Sequence, residues 1–470
     1  MEIRRRKEEG GLYGRTAIQS KKAVLSYGQL SEICGRMKGL LRDRNLILHI
    51  CTNTIDAISG YAAFFNCGQV QLLAGEETGR EQIEAFMSLY RPRYLYILAS
   101  RRQEYPDFRV VTCIGTYVLL ETGCRVPYRM HDSLALLLTT SGSTGSRKFV
   151  RLSYQNVRAN AESIAEYLEL NQEERPVLTL PMYYAYGLSI INSHFLVGAT
   201  LLLPDKSIFQ KEFWDYFERN GATSISGTPY MYEMLNKCGF FNRKFHGLRM
   251  MTQAGGKLPG QLHKKAARYA EQNGIRFYAM YGQTEATARI AWLPYQWAVR
   301  KCGSIGQAIP GGRLVLEDES GKEIREPRTE GELVYYGANV SMGYAEGWKD
   351  LEKGDERQGR LCTGDLGMRD EDGFYYITGR KKRIIKMFGK RVSLDEAEML
   401  IMEQFPEADC CCGGRDDALA VVTDEKEEGN RRAMQLFIAD RIKVPLACVT
   451  VKYLECLPRT ESGKSRYDMI

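Results

Sequence analysis

The sequence predicts an α/β protein: a large N-terminal domain of parallel-sheet α/β layers with a β-barrel-like portion, then a small α+β domain. Three observations carry this. Up to Gly303, short apolar runs alternate with longer stretches of helical periodicity. From Gly303 the texture turns to short alternating runs separated by turn residues. A basic run then precedes a last segment with a helix start and two strand-like runs. Alternating buried strands and helices indicate parallel sheets covered by helices.

Each element has its own signal. Leu46–Ile50, Tyr94–Leu98, Leu134–Leu138, Val177–Leu180 and Thr200–Leu203 are short apolar runs of strand length. Ser153 to Leu170 places Val157, Ile164, Ala165 and Leu168 at helical spacing, with Ser153 as N-cap. Arg313–Glu317 and Gly331–Tyr336 alternate as half-buried strands, and turns are expected at Glu319-Ser320-Gly321 and Asp370–Gly373. Ser393 followed by Asp395, Glu396 and Glu398 reads as an N-cap and acidic first turn. Strands follow at Leu419–Val422 and Cys448–Val451. A domain boundary is expected at 380/381, giving 1–380 and 381–470.

Composition removes several classes of function. The chain has 470 residues, 44% of them hydrophobic, enough for several real cores. Lys+Arg 65 against Asp+Glu 58 leaves +7, too thin a bias for a dedicated nucleic-acid binder. No apolar run reaches the roughly 18 residues of a membrane span. The charged start Met1–Glu9 has no apolar stretch behind it, so no secretory signal is expected. Thirteen scattered cysteines fit a reduced, cytoplasmic protein. Cys410-Cys411-Cys412 would alternate faces in a strand and cannot converge on one metal.

The strongest chemical signal is Thr139-Thr140-Ser141-Gly142-Ser143-Thr144-Gly145-Ser146-Arg147-Lys148, directly after an apolar strand. Glycines let the backbone turn and expose N–H donors, hydroxyls add donors without bulk, and lysine neutralises phosphate. The loop suits a polyphosphate. It is not the GxxxxGK[ST] loop of phosphotransferases.

This loop resembles the phosphate-binding signature of the adenylate-forming superfamily, which includes acyl-CoA synthetases, nonribosomal adenylation domains and luciferases. Tyr281-Gly282-Gln283-Thr284-Glu285 resembles that family's aromatic-Gly-x-Thr-Glu motif, and Thr363-Gly364-Asp365 its TGD motif. Gly379-Arg380 with the residues before it resembles the GRxxD stretch, and Pro458–Lys464 the C-terminal PxTxSGK. The matches run in order from about residue 24 to 466. The resemblance implies ATP- and Mg²⁺-dependent conversion of a carboxylic acid to an acyl-AMP, then transfer to a thiol of CoA or of a carrier protein's phosphopantetheine. It also implies a C-terminal domain that moves between the two steps.

The same resemblance implies roles. Thr140, Ser141, Gly142, Ser143, Thr144, Gly145 and Lys148 would hold the β- and γ-phosphates, and Thr284 the α-phosphate. Glu285 would ligate Mg²⁺, a hard cation suited to oxygen. Tyr281 would stack on adenine, with Gly255, Gly256 and Gly282 near it. Asp365 and Arg380 would take the ribose, and Lys464 would bridge the acid and the α-phosphate. Lys382 matches the hinge position, and Gly389 the glycine lining the thiol approach. Seven basic and no acidic residues lie from Arg380 to Arg391. They read equally as a docking surface for a phosphate-bearing thiol or as a solvated charged face.

The segment Pro181–Ser189 resembles the opening of the family's acid pocket. Amino-acid activators carry Asp where this chain has Ala185, so an α-amino acid is disfavoured: its ammonium would lack a partner. Tyr184, Ala185, Tyr186, Gly187, Ser189 and Gln283 would line a pocket for an aryl or aliphatic acid. Arg289 has two readings, a second anionic group on the acid or a surface salt bridge, and the salt bridge is expected. The chain ends six residues after Lys464, so a separate acceptor is expected. Two alternatives are an amine acceptor and an inactive nucleotide-binding scaffold. The presence of Lys148, Glu285 and Lys464 argues against the scaffold.

Overall fold

The computed structural model describes residues 11–124, 128–139, 148–388, 390–458, 467 and 470, the side chains of Lys390 and Arg391 excepted. The chain forms two compact units, one of residues 1–303, 308–313 and 336–361, the other of 304–307, 314–335 and 362–470.

The first unit is organised by two sheets. In one, Leu46–Cys51 pairs in parallel with Val70–Gly75 and Tyr94–Leu98, and Val70–Gly75 with Leu134–Thr139. All six residues of Leu46–Cys51 and of Val70–Gly75 are buried, which explains their mostly apolar texture, broken by His49 and Gln71. Antiparallel strands close both edges, with Phe149–Ser153 and Gly343–Ala345 on one side and Tyr117–Glu121 and Arg109–Ile114 on the other. The second sheet runs in parallel from Thr16–Ser20 through Leu201–Leu203, Pro176–Val177, Ser224–Gly227 and Met250–Gln253 to Arg276–Tyr281.

Helices share one core with residues from both sheets, including Ile47, Leu136, Ile190 and Leu201. Ala185–Val197 is apolar on nearly every face and is buried along its length from Gly187 to Phe195. Tyr154–Tyr167 starts as expected at Ser153, whose hydroxyl accepts from Asn156 N while the Asn156 side chain accepts from Ser153 N. The strand expected over 177–180 stops at Val177. Leu178 N still donates to Leu202 O, but the Thr179 hydroxyl turns to Ser226 O, and the chain leaves the sheet towards Tyr184. Among the described residues, no helix is long and apolar enough to cross a membrane.

The second unit holds most of a five-stranded sheet ordered Glu323–Ile324, Gly312–Glu317, Gly331–Gly337, Arg360–Arg369 and Tyr375–Arg380. A hairpin of Ile384–Met387 and Lys390–Ser393 leads into helix Leu394–Gln404, capped by Ser393. Cys410–Arg415, Ala418–Thr423 and Val449–Tyr453 form a three-stranded sheet against helix Glu428–Ile442. The three adjacent cysteines are buried in its first strand.

An ion-pair cluster organises this small core. Arg383 Nε donates to Asp395 at 2.6 Å and Nη2 to Glu398 at 2.6 Å, and its guanidinium lies 3.3 Å from the Tyr467 ring centre. Glu398 also accepts from Cys412 N and from the Tyr467 hydroxyl. Burial pushes the Glu398 carboxyl up to about 7, against the pull of Arg383. A carboxyl raised above its unfolded value loses folding stability as pH rises through that window. Arg383→Met should therefore destabilise this unit by about 3–5 kcal/mol at pH 8, where it strands a buried carboxylate. Thermal unfolding should show a much smaller loss at pH 5, where Glu398 is protonated. An equal loss at both pH values would count against this account.

Candidate active site

The part expected to meet phosphate begins with the strand Leu134–Thr139, which leads into residues 140–147 and returns antiparallel as Phe149–Ser153. Lys148 stands at the head of the returning strand. Tyr344, in Gly343–Ala345, pairs with Val150 of that strand. The Lys148 ammonium lies 3.9 Å from the Tyr344 ring centre and 3.9 Å from a Glu346 carboxylate oxygen. The Tyr344 hydroxyl donates to Glu285 Oε1 at 2.8 Å. Burial, reinforced by the Glu285 charge, pushes the phenol up to about 12. Tyr344 is thus a donor throughout the neutral range, and one ring links the expected phosphate lysine to the expected metal ligand.

Arg151 fixes this arrangement. Its side chain is completely buried, and it donates to Tyr344 O at 2.9 Å, to Met342 O at 3.0 Å and to Lys353 O, and pairs with Glu356 at 2.5 Å. Sequence reasoning missed both Tyr344 and Arg151. The available signal was a charged residue inside an otherwise apolar strand, Phe149-Val150-Arg151-Leu152.

A tight loop builds the next part. The strand Arg276–Tyr281 ends at buried Tyr281, whose hydroxyl accepts from Gln283 Nε2 at 3.2 Å. Gly282 is obligatory, because a β-carbon there would lie 1.6 Å from Ala288 O. Thr287 and Ala288 both have positive φ, 55° and 110°. Such backbone persists only when its surroundings over-determine it. Here Asn339 does so: its side chain donates to the carbonyls of Ala286 and Arg289, and its own carbonyl accepts from the Thr287 hydroxyl at 2.6 Å. Ser341 N holds the Glu285 carbonyl at 2.8 Å. Thr284 and Glu285 form a single 3₁₀ turn within this frame.

In the segment expected to line the acid pocket, Tyr184 is the N-cap residue of helix Ala185–Val197 and packs on Tyr183 with ring centres 4.6 Å apart. Gly187 lets the first helical turn meet Pro181 O, which a β-carbon would approach to 2.2 Å. Ser189 donates to Tyr186 O, and the Tyr186 hydroxyl shares a 2.9 Å hydrogen bond with the Thr252 hydroxyl. Gly255 and Gly256 follow the strand Met250–Gln253, with the Gln253 amide donating to Gly256 O. These segments gather at the carboxyl ends of parallel strands, where open α/β sheets bind ligands. A neighbouring cavity of ≈ 480 Å³ at Pro181 and Tyr183 carries Glu76 and Glu77 in its lining, which disfavours an anionic occupant.

Arg289 departs from expectation. It is not in a surface salt bridge: only 2% of it is exposed, its guanidinium lies 4.2 Å from the Tyr186 ring centre, and no carboxylate among the described residues pairs with it. The loop folds the chain back, with Ile290 N on Tyr281 O, and so draws Arg289 inward.

The second unit carries its own pair. Asp365 and Arg380 are register partners of adjacent strands, with Nε 3.4 Å from Oδ1. Asp365 N is held by the Thr363 hydroxyl. Lys382 is exposed. Part of the basic run is already neutralised, since Lys381 pairs with Glu332 and Arg383 is buried on Asp395 and Glu398. Thr140, Ser141, Gly142, Ser143, Thr144, Gly145, Gly389 and Lys464 lie outside the described residues.

The AMP-binding enzyme family matches residues 7–345. The chain is 28% identical to indoleacetate–CoA ligase of Aromatoleum aromaticum over 97% of its length and 94% of that protein's. It is 27% identical to 2-succinylbenzoate–CoA ligase of Bacillus mycoides, over 96% and 94% of the two chains. Its fold superposes on O-succinylbenzoate coenzyme A synthetase from Bacillus subtilis, in complex with AMP, with TM-score 0.79 and 21% identity, covering 100% and 97% of the chains. With glycine, threonine and glutamate held in one loop and lysine set against them through Tyr344, the chain belongs to the AMP-binding enzyme family, within the adenylate-forming superfamily.

Proposed function

We propose that this chain condenses a carboxylic acid with ATP to an acyl-adenylate and pyrophosphate, and then passes the acyl group to the thiol of CoA. The observation that carries the reading is the convergence of Lys148 and Glu285 on Tyr344, directly after the hydroxyl- and glycine-rich segment 140–147. In the first step a carboxylate oxygen bonds to the α-phosphorus, and the bond from that phosphorus to the bridging oxygen breaks. The acid is already ionised at pH 7, so no base is required. Charge neutralisation and alignment supply the acceleration. Lys148 is assigned to the phosphates and the Thr284 hydroxyl to the α-phosphate.

Among the described residues no cluster of three or more metal-ligating side chains occurs. One carboxylate, Glu285, fits Mg²⁺, which takes one or two carboxylates and completes its shell with phosphate oxygens and water. When bound, the ion would neutralise phosphate charge. Tyr281 is assigned to adenine, and Asp365 with Arg380 to the ribose. Lys464 serves the adenylation step, and a boundary at 380/381 with Lys382 as hinge lets the small domain exchange it for the thiol approach at Gly389. In the second step the thiol sulfur bonds to the acyl carbon, AMP leaves with the bonding pair, and the thiol proton passes to solvent.

CoA is preferred over a carrier protein because the relatives compared above are named as CoA ligases. The acid is aryl or aliphatic: Ala185, first residue of its helix, offers no charge to an ammonium group.

Three outcomes test this. Purified protein should catalyse acid-dependent exchange of pyrophosphate into ATP, and silence across a broad panel of acids would refute the reading. Lys464→Ala should abolish that exchange yet spare thioester formation from supplied acyl-AMP; equal loss of both refutes the division of labour. Tyr344→Phe should raise the Mg²⁺ concentration needed for half-maximal exchange by about 10-fold, the usual cost of removing a group that orients a metal ligand. An unchanged Mg²⁺ requirement would remove Tyr344 from the site.

A further inference from the structure

Arg289 is a cation taken out of water without a counter-ion. Only 2% of the residue is exposed, and its Nε has no hydrogen-bond partner among the described residues. No described carboxylate forms an ion pair with it. Its neighbours are neutral: the Tyr186 ring at 4.2 Å and the Tyr167 hydroxyl, which accepts from the guanidinium and itself donates to Met280 Sδ. A ring face offsets only part of the lost hydration of a guanidinium.

The position is built rather than incidental. The main chain on the N-terminal side of Arg289 is held in two consecutive left-handed conformations, Thr287 and Ala288. Asn339 clamps that backbone on both sides, and its amide also grips the carbonyl of Arg289 itself at 2.7 Å. Beneath the guanidinium, Tyr186 is pinned by Thr252, whose hydroxyl donates to Ser226 at 2.8 Å. Backbone and stacking partner are therefore both fixed, and Nε has no acceptor among the described residues.

We propose that Arg289 binds a second anionic group of the acid substrate, so that the acid activated here is dicarboxylic. This rests on the acid-activating function proposed above and specifies its substrate class. The loop 282–289 presents Thr284 and Glu285 at one end and Arg289 at the other. Phosphate chemistry has Lys148 and Glu285 on Tyr344, whereas Arg289 sits on Tyr186 of the helix assigned to the acid. One carboxylate of the substrate goes to the α-phosphorus; the other meets the guanidinium, which offers it the planar fork that carboxylates match.

The test is pyrophosphate exchange with paired acids of equal length, each dicarboxylic acid beside its monocarboxylic counterpart, plus an ω-sulfonated acid. Wild type should favour the dicarboxylic member by about 100-fold in kcat/KM, as expected for pairing a buried charge. Preference for the sulfonated acid would keep the anion site but overturn the carboxylate assignment. Arg289→Met should erase the preference, mainly through a raised KM for the diacid. Arg289→Lys should keep part of it. Exchange by wild type with monoacids alone, or equally with both members, overturns this inference and leaves the ligase reading standing. Absence of exchange with every acid overturns the ligase reading itself. A rise in KM for ATP in Arg289→Met, with acid preference unchanged, would assign the guanidinium to nucleotide and also overturn it. Should Arg289→Met fail to fold, the wild-type preference and Arg289→Lys decide.

Discussion

The guanidinium of Arg151, fully buried, holds three carbonyls and one carboxylate of the segment 342–356. It needs those acceptors because an unpaired buried charge costs several kcal/mol. Meeting that need draws the segment onto the strand that follows Lys148, and Tyr344 arrives with it. From Tyr344 the constraint passes to Glu285, and through the Ser341 amide to the backbone of the same loop. The candidate phosphate side is thus organised by a residue that lies wholly inside the protein.

Two buried arginines in one unit make an instructive contrast. Arg151 is satisfied internally and is structural. Arg289 is equally buried, has one neutral aromatic face and keeps an orphaned donor. Native proteins pair most buried polar groups, so an unpaired donor on a buried cation marks a candidate for ligand binding. The difference lies in the acceptors alone; neither residue type nor degree of burial separates the two.

The layered α/β core was legible because buried parallel strands read as continuous apolar runs, and the Ser153 and Ser393 helix starts because capping is local chemistry. Short ordered motifs singled out Lys148, Glu285, Asp365 and Arg380 as candidates, and the structure sets Asp365 beside Arg380 in register. Tyr344 was illegible: its role comes from a strand pairing across almost two hundred positions of sequence (Tyr344 with Val150), and no local pattern encodes that. Arg289 was misread for a related reason. Its hydrophilic type suggests the surface, and only the left-handed turn at Thr287 and Ala288 sends it inward. The strand over 177–180 fell short because the Thr179 side chain, rather than the ladder, makes the next bond.

The basic run from Arg380 to Arg391 loses much of its apparent charge once its internal partners are counted, which shifts weight from docking towards structure. The loop from Gly282 to Arg289 has the opposite character: its Arg289 lacks a carboxylate partner among the described residues, while its backbone is closed on itself. Because Gly282 touches Ala288 O and Asn339 grips both flanks, the separation between the two ends is set by main-chain bonds and cannot relax through a rotamer change. Such a loop works as a ruler. With Arg289 in the role proposed for it, an acid would be measured against a fixed length of backbone, and changes in accepted chain length would have to come from Tyr184 to Ser189, where side chains can be exchanged without breaking the scale.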